Sequence, residues 1–358
     1  MGLVHRDFVV IGGGPAGIAF ALSAVAAGAT VTLIERATRS AAKTGEILPS
    51  TIAVPLAELG LWSGFTSRGY RPSHGTVSVW HGTEPAERSQ LFDPYGDGWL
   101  IDRDDFERWL LKLVQAAGGE LRRARAVRLE RAGALWIVQL GPHDGERIAA
   151  PMIVEATGRG RGVVGRGERV RDDALVGLVA YIHVGEAYSD DRFYLEAVAE
   201  GWWYSAPIPG NRVVLALMTD APLVPARRQD RQALWLHSLS SSSLSRTRVA
   251  DVPRHVDVRV HPANGSMRRT IAGDYWLAIG DAAATYDPLC GQGIVTALSK
   301  GIAAARLLTH GPSVTRAISD YVDTEKATFD RYRQIRHALY RAAEVVPSSP
   351  FWSERRSR

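Results

Sequence analysis

The chain has 358 residues, 46% hydrophobic and 23% charged, with a formal charge of +5. This is ordinary globular composition and excludes a disordered, collagen-like or coiled-coil chain. One cysteine, Cys290, excludes a disulfide framework and a cysteine-rich zinc site, and it fits a reducing, cytoplasmic setting. The positive charge is almost all arginine, the lysines being Lys43, Lys112, Lys300 and Lys326. That mild excess suits an anionic cofactor or an acidic partner and not nucleic acid.

Phe8 to Ile34 runs without a charge, long enough for a membrane span. Gly12, Gly13, Gly14 and Pro15 interrupt it, and Gly28 punctuates it again. It resolves into a strand at 8–11, a helix at 15–27 and a strand at 30–34, so neither a membrane span nor a signal peptide is expected. A turn at Gly45-Glu46 precedes a helical stretch through Leu56, Leu59 and Leu61. Residues 75–101 alternate, as in Thr76-Val77-Ser78-Val79-Trp80, and predict strands. A helix follows Asp102 with Phe106, Trp109, Leu110 and Leu113 on one face. Residues 126–140 read as a hairpin, 148–154 as one apolar strand, and 174–218 as strand-rich. The serine-rich stretch 238–245 reads as a surface loop. A strand is expected at 275–279, a helix at 293–308, and helix with an arginine-rich outer face from 313 to about 346.

Gly12-Gly13-Gly14-Pro15-Ala16-Gly17 lies between a strand and a helix, the setting a dinucleotide fingerprint requires. Gly12 permits the tight turn, Gly14 lets a pyrophosphate approach, and Gly17 lets helix pack on strand. Pro15 and Ala16 open the helix, whose free amides and dipole favour an anion. Glu35, followed by Arg36, ends the second strand, where an acid takes ribose hydroxyls. Later, Gly280-Asp281-Ala282-Ala283 follows an apolar strand. Asp287-Pro288-Leu289-Cys290-Gly291-Gln292-Gly293 then leads into a helix at Ile294. A carboxylate at a strand end suits a ribityl chain, and a glycine turn at a helix start suits an electron-rich ring edge. The pair points to FAD rather than NAD. Another GxGxxG, at Gly160, Gly162 and Gly165, is followed by charged residues and no apolar-periodic helix. It reads as a decoy, leaving NAD(P)H or a partner flavin reductase as a transient electron source.

These motifs together resemble the FAD-dependent para-hydroxybenzoate hydroxylase and tryptophan halogenase superfamily across essentially the whole chain. Several shorter segments are similar to a halogenase-related branch. They are Gly45-Glu46 with Pro49, Ser78-Val79-Trp80, the run from Gly98 to Arg103, Glu155-Ala156-Thr157-Gly158-Arg159 and Gly201-Trp202-Trp203-Tyr204-Ser205-Ala206-Pro207. That branch includes the flavoprotein maturases of quinone-cofactor enzymes, of the lysine ε-oxidase and quinohaemoprotein amine dehydrogenase type. The resemblance implies FAD held through Arg103 and Asp281, with Glu46 beside it. It also implies an α/β fold: a Rossmann-like FAD domain of glutathione-reductase type from 1–70, 100–172 and 266–310. An antiparallel-sheet substrate domain from 71–99 and 173–265 is interleaved with it, and 311–358 forms a C-terminal helical segment. Two departures count against halogenation. The Trp-x-Trp-x-Ile-Pro segment of halogenases is replaced by Trp202-Trp203-Tyr204-Ser205-Ala206-Pro207, and 65–101 contains no lysine.

Trp202, Trp203 and Tyr204 on one strand would send alternate rings to opposite faces, so Trp202 and Tyr204 are candidates to stack on a substrate or flavin. His74 is the candidate base, with His81 nearby. Cys290 reads as a space-filler in its turn. No histidine spacing suggests a metal, and no nucleophile elbow occurs. The expected activity is monooxygenation of an electron-rich indole or phenol through a flavin C4a-hydroperoxide. The substrate is an aromatic small molecule or a precursor peptide. The alternatives are a halogenase, a dehydrogenase of the geranylgeranyl-reductase sort, and a flavoprotein maturation factor that binds a precursor protein.

Overall fold

The computed structural model describes residues 3–36, 47–90, 93–141, 145–160, 162–164, 167–186, 188–251, 255–311, 313–344 and 349–356. Gly45, Glu46, Lys43 and Gly165 lie outside the described residues.

The apolar strands Phe8–Ile11 and Met152–Glu155 are buried on both faces, which calls for a sheet covered on both sides. They sit at the centre of six strands in the order Ala272–Gly273, Trp276–Ala278, Met152–Glu155, Phe8–Ile11, Val31–Glu35, Glu120–Arg123. All neighbours are parallel except the Ala272–Gly273 edge. Helix Pro15–Ala26 packs against helix Gly293–His310. Gly301 makes this close approach possible, since a Cβ there would lie 2.3 Å from the Ala16 carbonyl oxygen. Helix Arg103–Ala116 starts at Asp102, whose carboxylate accepts the Asp105 N–H, and buries Phe106, Leu110 and Val114.

The expected single strand at 148–154 is two strands in two sheets. Arg147–Ala150 joins a four-stranded sheet with Val4–His5, Leu135–Gly141 and Arg125–Ala132, while Met152–Glu155 enters the six-stranded one. Pro151 between them has no N–H to give a ladder and a fixed φ, so the run divides there.

The strand-rich remainder builds a seven-stranded sheet. Its order is Arg259–Pro262, Leu175–His183, Arg212–Asp220, Gly201–Ile208, Phe193–Val198, Gly75–Val79, Ala86–Ser89. Only the Phe193–Val198 and Gly75–Val79 pair is parallel. The pleat sends Trp203 to one face, against Trp235 of helix Arg228–Ser241, and Trp202 and Tyr204 to the other.

The serine-rich stretch is not a surface loop. Ser238 is in the last turns of that helix and accepts the Trp203 indole N–H at 3.2 Å, and Ser242 and Ser245 are buried. The buried Glu196 carboxylate accepts the N–H groups of Ser243, Leu244 and Ser245 at 2.5, 3.1 and 2.7 Å. An acceptor 47 to 49 residues away satisfies amides that the local sequence would leave to water.

At the C-terminus, helix Val314–Arg341 ends earlier than expected, and a short helix Pro350–Arg356 follows. The arginine-rich face is partly inward. Arg355 forks onto both Asp220 oxygens at 2.5 and 2.8 Å, and Arg336 pairs with Asp172 and Asp173. Among the described residues no helix is long and apolar enough to cross a membrane.

Candidate functional site

A cavity of about 1890 Å³ is bounded by the C-terminal ends of the parallel strands, the pleated face of the seven-stranded sheet and the long C-terminal helix. One wall is the turn Gly12–Ala16 with Glu35 and Arg36. The three glycines of that turn have separate tasks. Gly12 sits at φ +115°, and a Cβ there would lie 2.2 Å from the Ala156 carbonyl oxygen. A Cβ on Gly17 would lie 2.0 Å from the Gly12 carbonyl oxygen, so Gly17 seats the helix and does not line the cavity. A Cβ on Gly14 would meet nothing within 4 Å, because Gly14 faces the open cavity. The helix behind it has no side-chain cap, so its first amides look into the same space. An uncapped helix start behind a bare backbone fits the pyrophosphate of a dinucleotide. The Glu35 carboxylate accepts the Gly13 N–H at the cavity edge.

Arg103 also lines the cavity and donates to Glu107 Oε1 at 2.9 Å. Asp281 does so too, its carboxylate 3.5 Å from the Arg159 guanidinium. Arg169 fixes that segment from behind by donating to the carbonyls of Asp281 and Ala282, and burial pulls its guanidinium down to about 10. Pro288, Gly291, Gln292, Gly293 and Ile294 complete this wall. Gly291 is left-handed at φ +63°, and its N–H closes the turn onto the Pro288 carbonyl at 2.8 Å. The donors left at this end are therefore the first amides of helix Gly293–His310, which has no side-chain cap.

The pleated sheet contributes Phe193, Leu195, Trp202, Tyr204, Ala216 and Met218 as an apolar and aromatic floor. Trp202 is almost wholly buried and donates its indole N–H to the Tyr340 oxygen at 2.9 Å. Tyr204 is half-buried, its ring 5.1 Å from that of Phe193. His74 is placed elsewhere. Ser73 and Gly75 line the cavity, and in extended chain the residue between them points away. The His74 imidazole is 57% exposed, with Nδ1 2.7 Å from Asp191 Oδ2. His81 is exposed and also absent from the wall.

Among the described residues, the histidine on the cavity wall is His261, on the edge strand Arg259–Pro262. Burial and the neighbouring Arg259 charge lower its pKa, so the ring is neutral near pH 7. Arg159 closes the Glu155–Arg159 segment, which pointed to the resemblance and not to a role at the site, and neither His261 nor Arg169 stands in a motif. The only signal for His261 and Arg169 is an extended pattern that leaves the facing side undetermined. No lysine among the described residues lines the cavity, and none of their His, Cys, Asp and Glu side chains group as a metal site.

A family model for FAD dependent oxidoreductases matches residues 7–167. The chain is 28% identical over 362 residues to the putative FAD-dependent oxidoreductase LodB of Marinomonas mediterranea, covering 98% of this chain and 96% of that one. It is 31% identical over 324 residues to the menaquinone reductase of Mycobacterium tuberculosis, covering 84% and 76%. In fold it is similar to the myxobacterial chondrochloren halogenase CndH, with TM-score 0.88, 23% identity and coverage of 98% and 86%. It is likewise similar to the peptidyl tryptophan dihydroxylase QhpG, with TM-score 0.82, 23% identity and coverage of 98% and 79%. With a cavity built around a dinucleotide turn and a relative of this identity and coverage, the chain belongs to the family of FAD-dependent oxidoreductases.

Proposed function

We propose that this protein is an FAD-dependent monooxygenase that hydroxylates an electron-rich aromatic ring, an indole or a phenol, borne by a precursor peptide or a small natural-product precursor. The observation that carries this reading is one continuous cavity. It joins the dinucleotide turn to an aromatic floor, with no lysine among its described lining residues.

Gly12–Ala16, Glu35, Arg36, Arg103 and Asp281 would hold FAD, with its ring edge toward the uncapped amides at Gly293 and Ile294. Bound FAD, reduced by NAD(P)H or by a partner reductase, supplies the activation of dioxygen. The chain supplies placement. Phe193 and Tyr204 give the incoming ring flat apolar surfaces with Trp202 packed within the floor, and Leu195, Ala216 and Met218 exclude water from beside it. The neutral imidazole of His261 takes the proton that the ring carbon gives up on hydroxylation. Tyr204 thus positions the ring, Trp202 is too buried to stack on it and supports the floor from within, and His261 rather than His74 is the proton acceptor. The likeness in fold to a peptidyl tryptophan dihydroxylase supports an indole borne on a peptide, and the LodB likeness extends over nearly all of both chains.

The test uses reduced FAD, isotopically labelled dioxygen, chloride and bromide, with indole, phenol and a tryptophan-containing peptide as probes. Labelled oxygen in the product supports hydroxylation. A halogenated product, or a reduced product without label, refutes it in favour of a halogenase or of a reductase like the menaquinone enzyme.

A further inference from the structure

Asp287 is buried at the start of the turn that leads to helix Gly293–His310. Its Oδ1 accepts the Leu289 N–H at 2.9 Å, and its Oδ2 accepts the Tyr340 O–H at 2.6 Å. The Tyr340 oxygen in turn accepts the Trp202 indole N–H at 2.9 Å. The Asp287 backbone N–H donates to the Tyr332 hydroxyl at 2.8 Å. One carboxylate therefore ties together the turn at the helix start, the long C-terminal helix and the floor of the cavity.

The direction of this chain of hydrogen bonds is forced. An indole N–H only donates, so Tyr340 must accept from Trp202 and pass its own proton to Asp287. The chain is complete only while the carboxyl is ionised. A proton on Oδ2 would oppose the Tyr340 proton, and a proton on Oδ1 would oppose the Leu289 N–H. With Oδ2 protonated, Tyr340 would receive from both sides and its own proton would have no acceptor. Either way a buried donor is left without an acceptor, and on the Oδ2 side that donor is Tyr340, the partner of Trp202.

We infer that Asp287 is a positioning residue whose ionisation, transmitted through Tyr340, sets how Trp202 is held in the cavity floor. The charged and titratable groups around it come from three elements. Helix Val314–Arg341 brings Tyr332, Arg336, His337 and Tyr340, and the segment before the seven-stranded sheet brings Asp172 and Asp173. Helix Pro350–Arg356 brings Arg355, engaged by Asp220, with Glu354 beside it. Arg336 is engaged by Asp172 and Asp173, so the direct donors to Asp287 are neutral. Burial accordingly outweighs the hydrogen bonds and pushes the carboxyl up to about 6, within reach of cellular pH.

The coupling concerns the same cavity but does not rest on hydroxylation. The test is the Trp202 indole N–H resonance of nitrogen-labelled protein, assigned with Trp202→Phe and followed from pH 4.5 to 8, without FAD and with FAD bound. In the wild type the resonance should titrate with a midpoint near 6. Tyr340→Phe keeps the packed ring and removes the relay, so it should flatten the titration, and Asp287→Asn should flatten it independently. A wild-type resonance that does not move with pH overturns the inference, as does a titration that survives in Tyr340→Phe. Either result would leave the hydroxylation reading untouched, and absence of label from every product would leave this coupling standing.

Discussion

Replacing Gly14 with valine should weaken FAD binding by about 100-fold or more and leave the apoprotein folded. Gly14 has φ −82° and ψ 177°, ordinary extended backbone open to any residue. A Cβ there meets no protein atom within 4 Å, so the new side chain projects into the cavity in front of the uncapped amides. Its cost to the fold should stay within about 0.5 kcal/mol, the range of a substitution that touches nothing. The pyrophosphate would lose at least two charge-assisted hydrogen bonds of about 1.5 kcal/mol or more each, which weakens the Kd by about 100-fold or more. Gly17→Ala is the control with the opposite signature. Its Cβ would sit 2.0 Å from the Gly12 carbonyl oxygen, so helix and strand must move apart. Overpacking of this kind costs about 1–3 kcal/mol and should lower the Tm of the apoprotein. Thermal unfolding without FAD and fluorescence titration with FAD separate the two effects. Wild-type FAD affinity in Gly14→Val would refute the assignment of this turn, and so would a loss of apoprotein stability matching that of Gly17→Ala.

His261→Ala should lower kcat by about 100-fold or more while FAD affinity and the flavin spectrum stay unchanged, as expected when a general base is removed. In the wild type, activity should fall on the acid side at a midpoint below the ordinary histidine range, and an unchanged rate in the variant would return the base to another group. Asp287 also makes a prediction about stability. Its carboxyl titrates near 6 in the fold against 3.8 in the unfolded chain, so the fold holds the proton more tightly. Relative to Asp287→Asn, the wild type should therefore lose stability as pH rises from about 4 to about 6, by about 3 kcal/mol in all, and change no further above that. Chemical denaturation of both proteins across this range measures it, and a difference independent of pH would contradict the buried, titrating carboxyl.

The dinucleotide turn was legible in the sequence because its chemistry is local. Gly12 needs a positive φ, Gly14 needs bare backbone and Gly17 needs close helix contact, all within six residues of chain between a strand and a helix. The same holds for the helix start after Asp102, the 126–140 hairpin and the glycine turn at Gly291, where short-range geometry selects the residue type. Tertiary structure decided what depends on distant partners. Which side of a pleat faces a cavity changes with every residue, so an extended pattern could not say that Ser73 and Gly75 turn inward and His74 outward, or that His261 reaches the wall from an edge strand. The apolar run at 148–154 looked uniform because both of its halves are buried, yet Pro151 sends them into different sheets. The serines near 240 looked solvated because their acceptor, Glu196, lies on another strand. The link from Asp287 through Tyr340 to Trp202 joins residues 53 and 138 positions apart, and only the packing of the C-terminal helix against the sheet brings them within hydrogen-bonding distance.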